Sequence, residues 1–316
     1  MGHPGRLPIT PDRHGGDGPG VGSGVVARRL PAMTGAAGWY PDPTDPARWA
    51  WWDGAHWSAT ASPGDPTDPA EEARWFPRLR ALRWPALVVA LTSTLLIVVM
   101  NVFGGGNETD PSKVDAWTFV VGIGSLAFLG VGVPLLAWGS SHWFGSGRVT
   151  RDLGLRVRWI DLPLGVAGAV TLWGVSLGLT LLTEVVGLPQ GSNTDAIADQ
   201  MRDNPEAAFV LFLLVLATAA ILAPISEEIL FRGMLYRGLV DKVPGWAAVV
   251  IQGVVFGCAH VIPNLGWANV ALLTVLCSLG VCLGFLARLT GRLGACVIAH
   301  ALFNASSVVL LYLSVR

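Results

Sequence analysis

Ala223-Pro-Ile-Ser-Glu-Glu-Ile-Leu-Phe-Arg-Gly-Met-Leu-Tyr-Arg237 sets two carboxylates and a guanidinium inside a run of apolar residues. The run reads as membrane-spanning. An ionisable group in such a span costs about 2.5–3.5 kcal/mol on insertion scales, so Glu227, Glu228 and Arg232 mark a function and require partners. On a helix Arg232 follows Glu228 by four residues on the same face, whereas Glu227 is rotated about 100° away. One carboxylate is therefore expected to be anchored by the arginine and the other left for chemistry.

Outward from that stretch, the chain supports the membrane reading. Of its 316 residues, 52% are hydrophobic and 14% charged, and the mean hydropathy is +0.53, a balance that excludes an ordinary soluble domain. The net charge of -1 gives no basic footprint for nucleic acid. Apolar runs at about 85–103, 117–139, 162–186, 208–236, 246–262, 268–287 and 293–313 predict about seven transmembrane helices. The expected fold class is thus an all-α polytopic bundle in the lipid bilayer of the cell membrane, with Pro224 kinking the fourth span. Arg148, Arg151, Arg156 and Arg158 join the second and third runs, Arg237 and Lys242 follow the fourth, and Arg288 and Arg292 follow the sixth, while loops 104–116 and 187–207 are mainly Gly, Asn, Asp and Glu. Positive-inside counting places the N-terminus in the cytoplasm and the C-terminus outside.

Two later runs carry a complement for the free carboxylate. Phe256-Gly-Cys-Ala-His260 sets an aromatic one turn before a histidine, and His300-Ala-Leu-Phe-Asn304 sets a histidine and an amide one turn apart. Counted from the basic turn at 237–245, Glu227 and His260 each lie roughly 20 Å along their helices, and His300 and Asn304 lie roughly 12 and 18 Å from Arg292. A shared polar cavity is feasible. Glu-Glu-x-x-x-Arg, Phe-x-x-x-His and His-x-x-x-Asn, in that order on successive apolar helices, resemble the CAAX protease and bacteriocin-processing (CPBP) family of intramembrane endopeptidases. The resemblance covers a protease core of roughly 150–316 within a transmembrane domain of 85–316, and all three motifs are complete.

Peptide hydrolysis within a membrane needs a held water, a base and donors for the oxyanion. Glu227 could take a proton from a water that His260 helps to hold, the role that the resemblance implies for both. The resemblance likewise gives oxyanion stabilisation to His300 and Asn304, with Glu228 and Arg232 fixing the helix that bears Glu227. The metal-assisted alternative uses Glu227, His260 and His300 as Zn²⁺ ligands with one position open for water, although no His-Glu-x-x-His pairing is present. Water activation by the glutamate is preferred and no cofactor is required by it. The substrate is expected to be a protein or peptide at the membrane, a prenylated CAAX terminus or a bacteriocin precursor by the resemblance. The competing class is a non-catalytic scaffold or immunity protein in which the same residues hold the bundle together.

Ahead of the spans, residues 1–37 are expected to be disordered, with Met33 a candidate translation start. Residues 38–58 gather Trp39, Tyr40, Trp49, Trp51, Trp52 and Trp57 around Asp53-Gly54, the composition of a small β-hairpin-like module. It resembles the short GWYPDP and WWDG module, of unknown role, found at the N-termini of actinobacterial membrane proteins. Residues 59–84 read as a linker. The four cysteines lie in apolar runs and read as small packing residues.

Overall fold

The computed structural model describes residues 38–42, 45–52, 57–61, 69–103 and 116–316, with side chains from Ala81 to Met100 and from Gly122 onward except that of Pro263. The expectations for 1–37 and for the Asp53-Gly54 turn fall outside the described residues. Residue contacts divide the chain between Ala70 and Glu71. In the first unit, β1 (Gly38–Asp42), β2 (Asp45–Trp52) and β3 (Trp57–Ala61) form an antiparallel sheet in that order. Gly38 stands opposite Trp52, which stands opposite Trp57 across the next pair.

The second unit is helical. Its first helix, α1 (Pro69–Phe103), takes in most of the stretch expected as a linker, because Ala, Glu, Arg and Leu from residue 70 onward favour helix. There follow α2 (Ala116–Ala127) and α3 (Val133–Phe144), joined without a break by a π-helical turn at Phe128–Gly132, and a short α4 (Val149–Asp152). Next come α5 (Asp161–Val185) and α6 (Asp195–Asp203). The motif-bearing run is continuous: α7 (Ala208–Ala217), a π turn at Thr218–Leu222, α8 (Ala223–Glu227), a longer π segment at Glu228–Tyr236, and α9 (Arg237–Leu239). The chain ends with α10 (Gly245–Cys258), α11 (Ala268–Thr290) and α12 (Gly294–Ser314).

Among the described residues six helices are long and apolar enough to cross a membrane: Ala81–Met100, Gly122–Phe144, Asp161–Val185, Ala208–Leu239, Ala268–Thr290 and Gly294–Ser314. The expected count of about seven is corrected at 246–262. There α10 has 14 residues, about 21 Å, and gives way to a turn and the short 3₁₀ segment Pro263–Leu265 before α11 begins. Pro224 does not break its helix. Proline cannot donate to the carbonyl four residues back, and the wide turn at 218–222 absorbs that loss immediately before it.

Small residues let the helices close on one another. A Cβ on Gly280 of α11 would stand 2.8 Å from the carbonyl oxygen of Gly253 on α10, and one on Gly253 would stand 2.7 Å from the Val281 nitrogen. Gly253-x-x-x-Gly257 and Gly280-x-x-x-Gly284 thus form the facing surfaces of a close helix pair. Gly165 and Gly168 do the same for α5, where added Cβ atoms would meet Ile298 and Ala299 of α12. Against these pairs Ile229, Leu230, Phe231, Met234 and Leu235 pack with Leu82, Ala86 and Ala90 of α1, with Val133 and Ala137 of α3, and with Phe256. The segment from Glu228 to Leu235 is buried throughout. All four cysteines are free thiols, Cys296 buried with its Sγ 3.5 Å from the Leu283 oxygen and Cys258 exposed.

Candidate active site

A buried segment that carries Glu228 and Arg232 must pair both charges internally, and the two pair with each other, leaving Glu228 Oε2 and Arg232 Nε buried without a hydrogen-bond partner among the described residues. Arg232 Nη1 donates to Glu228 Oε1 at 2.9 Å, and neither side chain has any solvent exposure. The second guanidinium nitrogen, Nη2, donates to the Gly280 carbonyl at 3.0 Å, and that oxygen also accepts from Gln252 Nε2 at 2.9 Å. The Phe256 ring lies under the guanidinium, 4.6 Å from its carbon, and packs edge-on against Phe231 at 5.2 Å. The arginine is thereby held by a carboxylate, a helix carbonyl and a ring face. Gln252, buried and polar, was not singled out from the sequence; its place inside the apolar run of α10 was the signal.

His300 reaches into the same cluster from α12. Its Nδ1 lies 3.0 Å from Glu228 Oε1, an oxygen that can only accept, so Nδ1 carries the proton and donates. His260 is fixed by the same logic, with Nδ1 2.8 Å from the Phe256 carbonyl oxygen. In the neutral form of each ring the remaining nitrogen, Nε2, is a bare acceptor. Both of these nitrogens face Glu227: His260 Nε2 is 4.0 Å from Oε1 and His300 Nε2 is 3.8 Å from Oε2. Glu227 and His260 retain 13% and 22% side-chain exposure, whereas Glu228 has none. The two adjacent glutamates are thus separated into a sealed one and an accessible one.

Glu227 and His260 border a cavity of about 180 Å³ whose other walls include Ile97 and Met100 of α1, Phe128 and Leu129 of the first π turn, and Phe231. Ser226 Oγ donates to the Leu129 carbonyl at 2.6 Å, tying the residue before Glu227 to that turn. A Cβ on Gly130 would meet Leu222 at 3.2 Å, so the π turns of the two spans lie side by side. Wide turns of this kind expose carbonyls and occur often at functional sites.

Asn304 takes a different position from the other motif residues. Its Nδ2 donates to the Ala219 carbonyl at 2.8 Å, inside the π turn at 218–222. It lines a second cavity of about 590 Å³ together with Ala219, Trp173, Phe303 and the polar loop at Gln190–Asp195. Glu227, Glu228, Arg232, His260 and His300 therefore come together directly, and Asn304 contacts the turn that precedes Glu227.

The spacing of the donors around Glu227 can be set against that of a zinc site. Ligand atoms of a tetrahedral Zn²⁺ site, each about 2.0–2.1 Å from the metal, stand about 3.3 Å apart. The gaps of 4.0 and 3.8 Å exceed that, and among the described residues no three His, Cys, Asp or Glu side chains are grouped closely enough to hold a metal ion. A water hydrogen-bonded at about 2.8 Å to two groups spans about 4.0–4.6 Å between them. The 4.0 Å gap between His260 Nε2 and Glu227 Oε1 is the one wide enough for a bridging water.

Taken together, the six spans and the enclosed carboxylate–imidazole cluster define a multi-pass helical membrane protein with a polar site held inside the bundle. Residues 209–306 match the family model described as Type II CAAX prenyl endopeptidase Rce1-like. Over 228 residues, 71% of this chain and 85% of the other, the chain is 25% identical to "Putative membrane peptidase YdiL" of Bacillus subtilis (strain 168). Over 156 residues, 48% of this chain and 45% of the other, it is 24% identical to an "Uncharacterized protein" of Mycoplasma capricolum subsp. capricolum (strain California kid). No solved structure matches the chain.

Proposed function

We propose that this protein is an intramembrane endopeptidase in which Glu227 activates water against a peptide bond of a membrane-associated protein. The observation that carries the reading is the accessible Glu227 carboxylate facing two imidazole acceptor nitrogens, at 4.0 and 3.8 Å, beside a cavity walled by apolar side chains. A water between Glu227 Oε1 and His260 Nε2 donates one hydrogen to each. Its lone pairs then point away from both, toward a substrate carbonyl. Glu227 takes the proton as the water oxygen bonds to the carbonyl carbon, and returns it to the departing amine as the carbon–nitrogen bond breaks. His300 and Asn304 are the candidate oxyanion donors: Asn304 has one amide N–H engaged by Ala219 and a second remaining. His300 donates from Nε2 when it carries both protons and accepts there when it carries only the Nδ1 proton.

Glu228, Arg232 and Gln252 are positioning residues in this scheme. They touch no substrate and hold the π segment that begins immediately after Glu227. The matched family description supports a CAAX-type C-terminus as substrate, prenylated or not, and a bacteriocin precursor is the other class carried by the motif resemblance. The test is a comparison of peptide termini in membranes from cells carrying the wild-type chain or Glu227→Gln at matched abundance. Termini that depend on the carboxylate support the peptidase. Identical profiles with an intact cellular phenotype would transfer the account to a non-catalytic scaffold.

A further inference from the structure

Away from Glu227, the chain builds a third cavity, lined mainly by basic side chains where the one beside Glu227 is acidic. It occupies about 350 Å³ and is lined by Arg83, Arg151, Arg237, Arg288, Tyr236 and Asp152. The four arginines arrive from separate elements: the start of the first span, α4, the end of the motif-bearing run and the last turn of α11. Asp152 is the one carboxylate in the lining and offsets one of the four guanidinium charges; Ser141 Oγ at 2.5 Å and Ser146 N and Oγ at 2.8 and 2.7 Å donate to it and fix its position. Arg83 forms an ion pair with Asp241, which lies outside the lining. Arg237 is braced by the Gly291 carbonyl at 2.8 Å, and Arg288 leans on Gly245 at the start of α10. The result is a preformed concave site with an excess of guanidinium, the group best matched to phosphate oxygens.

The depth of this cavity is marked independently. Trp84, Trp143, Trp159 and Trp246 are 64%, 71%, 82% and 62% exposed, and each stands at the same end of its helix or loop as the arginines. Lys242 Nζ sits 4.2 Å from the Trp84 ring centre. Exposed tryptophans of this kind gather where a bundle meets the headgroups, and basic side chains at that level meet phosphates. We propose that the cavity binds the phosphate of an anionic phospholipid headgroup in the leaflet at the basic end of the bundle. The ligand bridges the first span, α4, the motif-bearing run and α11, and so clamps the end of the helix that carries Glu227. The proposal is independent of what that glutamate does.

The full-length protein in phosphatidylcholine nanodiscs, titrated with phosphatidylglycerol and read by native mass spectrometry for retained lipid, tests it. Arg151→Gln with Arg288→Gln is expected to weaken phosphatidylglycerol retention by at least about tenfold. Arg148→Gln with Arg158→Gln, which removes equal charge at exposed positions, is expected to change it by less than about twofold. Should the first pair fail to accumulate, Arg288→Gln alone carries the same expectation. Inorganic phosphate added to phosphatidylcholine discs is expected to leave melting unchanged. Stabilisation by phosphate alone, abolished by the pocket substitutions, would overturn the lipid source in favour of a soluble phosphate compound. Equal loss in both arginine pairs, or no loss in either, would overturn the site.

Discussion

Arg232→Ala is the substitution whose cost can be worked most fully from the structure. It removes the Glu228 partner at 2.9 Å, the donor to the Gly280 carbonyl at 3.0 Å and the cation over the Phe256 ring. Glu228, fully buried, would keep only the His300 Nδ1 contact at 3.0 Å. Breaking one side of a buried pair costs about 3–5 kcal/mol, and at about 1.4 kcal/mol per tenfold that is roughly a 100- to 4000-fold rise in the unfolded fraction. Such a cost approaches the whole stability of many domains, so the variant should be depleted from membranes and melt far below wild type in detergent. The paired replacement Glu228→Gln with Arg232→Met removes both charges, leaves an amide oxygen for His300, and should regain most of that loss. Detergent-resolved melting of the wild type, the single variant and the double variant measures the coupling directly. A single variant that accumulates and melts like wild type would refute the reasoning, as would a double variant no better than the single one.

Three further outcomes follow from the site. His260→Asn should lower any peptidase rate by about 10²–10⁴ while costing stability only about 1 kcal/mol for the lost Phe256 contact, measured as turnover alongside melting of the same preparation. Asn304→Ala strips the Ala219 carbonyl of its donor and should cost about 1–3 kcal/mol, read from the melting transition. Exhaustive treatment with a zinc chelator should leave cleavage unchanged, since water activation by the Glu227 carboxylate calls for no metal; loss of activity restored by added Zn²⁺ would favour the metal-assisted route.

The location of the polar cluster was legible in the sequence because charge in an apolar run is costly enough to announce itself. The Glu228–Arg232 pair follows from spacing, whereas helix depth made a shared neighbourhood of Glu227, His260 and His300 feasible and the motif resemblance singled those residues out. What spacing could not give was helix rotation. His300, expected as an oxyanion donor, also spends its Nδ1 proton on Glu228, and Asn304, one turn further, braces the π turn at 218–222. The π segments themselves leave no mark in hydrophobic periodicity, since a wide turn uses the same apolar residues as a regular one. The length of α10 was misjudged for a related reason: the apolar run continues past Cys258, and hydropathy does not register where helical hydrogen bonding stops. Gly253, Gly257, Gly280 and Gly284 were readable as two small-residue repeats, and their meaning appears only when Gly280 offers its carbonyl to Arg232 and Gln252.

The central claim is that the Glu227 carboxylate, and not merely its shape, is required. The most direct measurement is single-turnover cleavage, by purified protein in nanodiscs, of a peptide spanning a site found by comparing membrane termini. Wild type and Glu227→Gln would be matched for fold by their melting transitions. Loss of about 10³-fold or more in the cleavage rate, with melting preserved, is the predicted result. Equal rates from the two proteins would contradict the account and leave the buried cluster as scaffolding.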